Sequence, residues 1–133
     1  MKALYFLIPG DPDTRTGGYR YDRRMMDGLG RLGWQVEWRR LSATFPYPDA
    51  SALLEAEAVL AALPNQALVV IDGLALGAMP TVAAAHGQRL RLVGLVHRPL
   101  ALETGLGERQ RQQFYASERE ALRHVRQVIV TSP

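Results

Sequence analysis

Cysteine is absent from the sequence, and lysine occurs only once, at position 2. Without cysteine the chain can form neither disulfides nor thiolate metal sites. The first apolar run, Ala3 to Ile8, stops at Pro9-Gly10, well short of the roughly 20 residues that a membrane-spanning helix needs. That segment also lacks the charged start and small-residue cleavage site of a secretory signal. We therefore expect a cytoplasmic protein.

Charge is modest, with a net value of +3 over 133 residues. Basic residues are not interleaved with aromatic ones, so we do not expect nucleic acid as a partner. The arginines concentrate in two segments predicted to be helices, near residues 20–31 and 109–126. One interpretation is a solvated surface paired with Asp22, Asp27, Glu118 and Glu120. The other is a weak contact with anionic lipid at the inner face of the membrane.

Apolar runs alternate with segments of helical periodicity along the whole chain. The pattern predicts strands at Ala3–Ile8, Trp34–Leu41, Ala67–Asp72, Leu90–His97 and 128–132. Between them it predicts four helices: one with the stripe Tyr21, Met25, Leu29 and Leu32, then Ala50–Leu63, Pro80–His86 and Glu108–Arg126. The inner face of the last helix is predicted to hold Phe114, Ala121, Leu122 and Val125. Gly33 is placed to end the first helix and Asp49 to cap the second.

Strands that alternate with helices over short connections favour a parallel sheet with helices on both faces. Right-handed crossovers restrict the topology to a doubly wound, Rossmann-like α/β fold. We predict a single domain over residues 1–133, with a five-stranded sheet in the order 3-2-1-4-5. In such sheets a ligand binds beyond the carboxyl ends of the strands, where the strand order reverses. The predicted order puts that point between strands one and four, where the loops Gly10–Gly18 and His97–Glu103 meet.

The pair Gly17-Gly18, followed by Tyr19, lies just before the first predicted helix. Its spacing from Gly10 matches neither the dinucleotide fingerprint nor the phosphate-binding loop of nucleotide hydrolases. Paired glycines let backbone N–H groups approach a ligand at a helix start, which is a good place for an anion. A flexible turn is the alternative interpretation.

His97 ends the fourth predicted strand and is the main candidate for chemistry. It could donate to a sugar hydroxyl or an anionic oxygen, or carry a proton; a buried structural histidine is the alternative. Arg98, Glu103 and Asp72 are candidate substrate contacts at the same edge, although Asp72 could simply begin a tight turn and Glu103 could cap one. His86 and His124 lie within predicted helices, and we expect both to be structural.

Several segments together resemble one family. "FLIPGDPDTRTGGYRYDRRMMDGLGRLGWQVE" resembles the opening of a family 4 glycosyltransferase. "LVVIDGLAL", "LVGLVHRPLALETGL" and "SEREALRHVRQVIVTSP" resemble its third strand, its fourth strand with the following loop, and the long helix leading to the fifth strand. The resemblance covers the whole chain, and its strength lies in the order and spacing of these segments.

This resemblance implies the N-terminal, acceptor-side half of a GT-B glycosyltransferase, which transfers a sugar with retention from a UDP- or GDP-sugar and needs no metal. It matches Gly17 and Gly18 to the loop near the donor phosphates, and His97 to a histidine near the transferred sugar. The implied acceptor is a small molecule, a lipid-linked sugar or a polysaccharide. The C-terminal donor domain is not present, so we expect this chain to be inactive alone. The alternative is a free-standing Rossmann-like binding or docking module without catalysis.

Overall fold

A computed structural model describes residues 2–11 and 17–131 as an α/β domain. The strands are β1 (Ala3–Pro9), β2 (Gln35–Leu41), β3 (Leu68–Asp72), β4 (Arg91–Val96) and β5 (Gln127–Val130). The helices are α1 (Gly17–Arg31), α2 (Ala50–Ala61), α3 (Gly73–Leu76), α4 (Pro80–His86) and α5 (Glu108–Leu122), with a short 3-10 helix at Leu100–Leu102. The predicted alternation of strands and helices is confirmed, and α4 has its predicted bounds.

All five strands are parallel, in the order β2-β1-β3-β4-β5. The predicted order 3-2-1-4-5 is therefore wrong, because β3 lies between β1 and β4 instead of outside β2. The reason is burial: Val69, Val70 and Ile71 are at most 6% exposed, so β3 needs a neighbour on each side and a covered surface on each face. The strand order consequently reverses between β1 and β3, not between strands one and four.

Alternate residues of β1 supply two hydrophobic cores. Leu7 packs into a core that α2, α3, α4 and α5 cover, while Leu4, Phe6 and Ile8 pack on the opposite face. Helix α1 contributes the residues that pack against this second core, among them Met25, Met26 and Leu29. The sheet thus carries helices on both faces, as predicted.

The helix ends follow ordinary capping chemistry. Asp49 caps α2 by accepting a 2.8 Å hydrogen bond from the Ala52 N–H, and Gly33 adopts the positive φ of 95° that a residue after a helix often needs. Both were predicted. Arg89 donates to the carbonyl oxygens of Leu60 and Leu63 at 2.8 and 2.6 Å, and so satisfies the end of α2.

Helix α1 differs from its predicted stripe. Met25 and Leu29 face the core, but Tyr21 and Leu32 are 39% and 76% exposed. Their place on the inner face is taken by Asp22, which is fully buried. Helix α5 ends at Leu122, four residues before its predicted end, and within it Ala121 is buried in the core as expected.

None of the helices in the described ranges combines the length and apolar character required to cross a bilayer.

Candidate functional site

His97 joins three parts of the fold at the carboxyl edge of the sheet. Its Nε2 atom lies 2.9 Å from Asp22 Oδ1 on α1 and 3.3 Å from Asp72 Oδ2 at the end of β3. Its Nδ1 atom lies 3.0 Å from the Thr131 hydroxyl, just beyond β5. We call Asp22, Asp72 and His97 the buried triad. Both carboxyl side chains are 0% exposed, and the imidazole is 18% exposed.

Local structure explains how each acid reaches this place. Asp22 is three residues before Met25 and seven before Leu29, which is the spacing of the inner face of α1. Asp72 begins α3, where its Oδ1 accepts a 2.9 Å hydrogen bond from the Leu74 N–H. The predicted tight turn at Asp72 is thus a helix start, and this second role fixes the carboxylate so that its Oδ2 faces His97.

One buried oxygen of each carboxyl group lacks an obvious hydrogen-bond donor. Asp22 Oδ2 and Asp72 Oδ2 are buried, and neither has a hydrogen-bond partner among the described residues when both acids are treated as ionised. Leaving buried polar atoms unpaired is costly. The side chains of Asp22 and Asp72 also share a hydrogen bond, which two carboxyl groups can form only when one of them carries a proton. Asp22 Oδ1 then accepts from the Nε2–H of His97.

The pKa shifts agree with a protonated Asp22 and a charged His97. Burial raises the pKa of Asp22 to about 8 against the hydrogen bond with His97, which lowers it; the hydrogen bond with Asp72 and the charge of Asp72 add to the rise. Burial alone would lower the pKa of His97, but its contacts with Asp22 and Asp72 raise it to about 9. Burial likewise opposes the ionisation of Asp72, yet hydrogen bonds with His97, Asp22 and the Leu74 N–H lower its pKa. Near neutral pH the triad is therefore a protonated Asp22, an ionised Asp72 and an imidazolium, with no net charge.

The predicted site residues on α1 lie close to the triad. Gly17 and Gly18 are the first residues of α1, whereas residues 12–16 of the predicted loop fall outside the described residues. Tyr19 packs against the core beneath α1. Burial raises the pKa of the Tyr19 hydroxyl, and the charges of Asp72 and Asp22 add to that effect. The structure thus brings Tyr19, Asp72 and His97 to one edge of the sheet, while a role for the glycine pair there stays a prediction.

Arg98 and Glu103 occupy the loop after β4 but make other contacts. Arg98 donates from its guanidinium to the carbonyl oxygen of Leu102. Glu103 ends the 3-10 helix, and its backbone N–H donates to the Leu100 carbonyl at 3.1 Å. The expectation that Glu103 caps a turn is met by its backbone, while substrate contact by either side chain stays a prediction.

A separate cavity lies at the carboxyl ends of two other strands. A cavity of about 730 Å³ lies beyond β1 and β2, where Gly10, Asp11, Arg40 and Ser42 are among its lining residues. A methyl group placed on Gly10 would meet the Tyr19 hydroxyl at 3.6 Å. Tyr19 therefore connects the triad with this cavity, which is large enough for a sugar or another small polar molecule.

The triad also offers the donor set of a metal site, since one ligand atom from each residue lies within 4.8 Å of the others. However, the 2.9 Å distance from Nε2 to Oδ1 is that of a hydrogen bond between nitrogen and oxygen. One proton between the two carboxyl groups already satisfies the unpaired oxygens. The geometry therefore favours a hydrogen-bonded cluster.

The other two histidines are structural, as predicted. His86 is buried, lies 2.8 Å from Glu57, and accepts from Arg89 on its other ring nitrogen. His124 lies at the surface beside Glu120 on α5. Several arginines also follow the solvated-surface interpretation, with exposed pairs such as Arg23–Asp27, Arg111–Glu108 and Arg123–Glu120. Asp22, predicted as a partner of surface arginines, instead belongs to the buried triad.

Sequence reasoning missed Asp22 and Thr131. Asp22 sits among arginines, which suggests surface charge, although its spacing from Met25 and Leu29 marks the inner face. Thr131 offers no such sequence signal, because only the pairing of β4 with β5 brings it beside His97.

The fold and site together define a Rossmann-like parallel α/β domain with a buried acid–histidine cluster at the carboxyl edge of its sheet. No protein-family model matches the chain, and no curated protein matches it in sequence.

Proposed function

We propose that this chain is the acceptor-side domain of a retaining family 4 glycosyltransferase with the GT-B architecture. The observation that carries the proposal is the 2.9 Å contact between His97 and Asp22. It holds the end of β4 against α1, the helix that begins with Gly17-Gly18. This contact therefore joins the start of α1 to the end of β4, the two segments in which the family resemblance places the donor contacts.

In this proposal the nucleotide-sugar lies across the carboxyl edge of the sheet, held chiefly by a second domain of the parent protein. The backbone N–H groups at the start of α1 face the diphosphate, because a helix N-terminus favours negative charge. His97 lies close to the transferred sugar and fixes the geometry of this edge of the sheet while the donor bond breaks. The cavity beyond β1 and β2 is the proposed acceptor site.

The test is transfer by the natural full-length protein, screened with UDP- and GDP-sugars against lipid-linked, polysaccharide and small-molecule acceptors. We expect sugar transfer with retained anomeric configuration, and we expect the 133-residue chain alone to show none, since half a cleft cannot position donor against acceptor. His97→Ala should reduce kcat sharply in the full-length protein. Unchanged turnover in that variant would remove His97 from the mechanism.

A second candidate function is a binding module without catalysis. One observation favours it: both ring nitrogens of His97 are engaged within the protein. In that case the triad only stabilises the packing of α1 against the sheet. Binding of a nucleotide-sugar by the full-length protein, with no transfer to any acceptor of the screen, would support this function over the first.

A further inference from the structure

The imidazole of His97 has no ring nitrogen left for a ligand. Nε2 faces Asp22 and Asp72, and Nδ1 faces the Thr131 hydroxyl at 3.0 Å. The backbone of Thr131 is held as well, since its N–H donates to the Val96 carbonyl at 3.2 Å. Any ligand that is influenced by His97 must therefore meet the group that His97 itself contacts, and Thr131, which is half-buried, is that group.

The direction of the Thr131 hydroxyl follows from the charge of the imidazole. A doubly protonated ring donates from Nδ1, so the Thr131 oxygen must accept and its own proton points elsewhere. A neutral ring with its proton on Nε2 would instead accept at Nδ1, and Thr131 would donate inward. Two buried carboxyl groups on the Nε2 side favour the charged ring.

We propose that the Thr131 hydroxyl, aimed outward by His97, donates a hydrogen bond to a hydroxyl oxygen of an uncharged sugar ring. The inference rests on the proposed function, whose sugar-binding edge it refines. It assigns to Thr131 the contact that sequence reasoning assigned to His97, and makes His97 a positioning residue.

The surroundings select a sugar ring over a phosphate. The imidazolium is balanced by the Asp72 carboxylate, so the triad has no excess positive charge to attract an anion. Tyr21 lies beside the imidazole with ring centroids 5.6 Å apart and is 39% exposed. A donor hydroxyl and an exposed aromatic ring that both contact the same imidazole suit a sugar, whose C–H groups pack on aromatic carbon while its hydroxyls accept hydrogen bonds.

The groups that act electrostatically on His97 are few among the described residues. Asp22, Tyr19 and Tyr21 face the site from α1, and Asp72 faces it from β3. Arg98 follows directly in the chain, but its guanidinium is directed at the Leu102 carbonyl.

The first experiment needs no ligand. Nitrogen-15 NMR of the histidine rings in the 133-residue chain, assigned with His86 and His124 variants, gives the pKa of His97 in the natural chain and in Thr131→Val. If Thr131 accepts from Nδ1–H, losing that acceptor should lower the pKa of His97 by about 0.5 to 1. Thr131→Ser should restore it, and Thr81→Val, at an exposed position on α4, should not change it. A higher or unchanged pKa in Thr131→Val overturns the proposal.

The second experiment identifies the ligand class by titrating the same samples with methyl hexopyranosides and, separately, with inorganic pyrophosphate. We expect the hexosides to shift the signals of Thr131, Tyr21 and His97, and Thr131→Val to weaken their binding about fivefold or more. Thr131→Ser should bind as the natural chain does. Shifts from pyrophosphate alone, no shifts at all, or equal hexoside binding by Thr131→Val would each refute the assignment.

These outcomes are separate from those of the proposed function. Hexoside binding that depends on Thr131 in a parent protein without transferase activity would remove the proposed function and keep this inference. Transfer by the parent that is unaffected by Thr131→Val would do the opposite.

Discussion

Asp22 and His97 are 75 positions apart in the chain, yet their side chains share a 2.9 Å hydrogen bond that is closed to solvent on the acid's side. The bond connects the inner face of α1 with the end of β4. These two elements do not neighbour each other in the sheet order, since α1 follows β1 and β3 lies between β1 and β4. The triad is thus a polar cluster that links α1 to the sheet within an otherwise apolar interface.

Asp22→Asn tests whether Asp22 carries a proton in the buried triad. Asparagine has the shape of a protonated aspartic acid: its amide can donate to Asp72 Oδ2 while its oxygen accepts from His97 Nε2–H. We therefore expect Asp22→Asn to be at least as stable as the natural chain at pH 7, because the natural chain must take up a proton on Asp22 when it folds and asparagine need not. Asp22→Ala, which leaves both partners unsatisfied, should cost about 2–4 kcal/mol. Urea titration measures both, and a large loss in Asp22→Asn would mean that Asp22 is ionised.

The natural chain should lose stability as the pH rises above neutrality. Asp22 holds its proton to about pH 8 when folded, against 3.8 ordinarily, and His97 to about pH 9, against 6.5. Both shifts are upward, so the folded state binds more protons than the unfolded chain between pH 6.5 and 8. We expect the free energy of unfolding to fall there by about 2–2.5 kcal/mol per pH unit, since the folded state binds nearly two more protons and each contributes about 1.4 kcal/mol per pH unit. Thermal melts across pH 6–10 check this, and Asp22→Asn should reduce the slope by about half.

His97→Ala should destabilise the fold as well as impair the proposed transfer. Removing the imidazolium leaves the ionised Asp72 buried without its charge partner, a change that typically costs about 3–5 kcal/mol. His124→Ala is the matched control, because His124 lies at the surface beside Glu120 and should change stability by less than about 0.5 kcal/mol. Equal denaturation midpoints for the two variants would contradict the role given to the triad.

Two glycines should respond to alanine in opposite directions. A methyl group on Gly28, within α1, meets nothing within 4 Å, so Gly28→Ala should stabilise the chain by about 0.5–1 kcal/mol through helix propensity. A methyl group on Gly87 would lie 2.7 Å from the His124 carbonyl oxygen, and Gly87→Ala should cost about 1–3 kcal/mol. Urea titrations decide the signs. A gain for Gly87→Ala would show that the packing of α4 on α5 is looser than described.

Chelation gives an independent check of the hydrogen-bonded triad. We expect EDTA to leave the melting temperature and the His97 ring signals of the purified chain unchanged, because a proton fills the role of a bound cation. Added zinc should leave the melting temperature unchanged, since a ligand that does not bind the folded chain does not stabilise it. A marked loss of stability with EDTA would assign the three ligand atoms to a metal.

The sequence was sufficient for the strands, for the four longer helices and for the parallel α/β class, but not for α3 or the strand order. Periodicity identified every strand, and Asp49, Gly33 and Pro80 marked helix ends because capping is local chemistry. The strand order was missed because right-handed crossovers permit both orders, and only the two-sided burial of β3 decides between them. Placing His97 and Asp72 at one edge needed no more than a parallel sheet. Asp22 and Thr131 were missed because their roles depend on contacts across 75 and 34 positions of the chain.

The shared proton of the triad has an evolutionary consequence. The histidine cannot be replaced independently of the two acids, since losing His97 or Asp72 leaves the other with an uncompensated charge, and losing Asp22 leaves both without a hydrogen-bond partner. Homologous chains should therefore inherit positions 22, 72 and 97 as a set, or exchange them together for apolar or amide residues. Lineages that have lost the histidine but kept both acids should be rare.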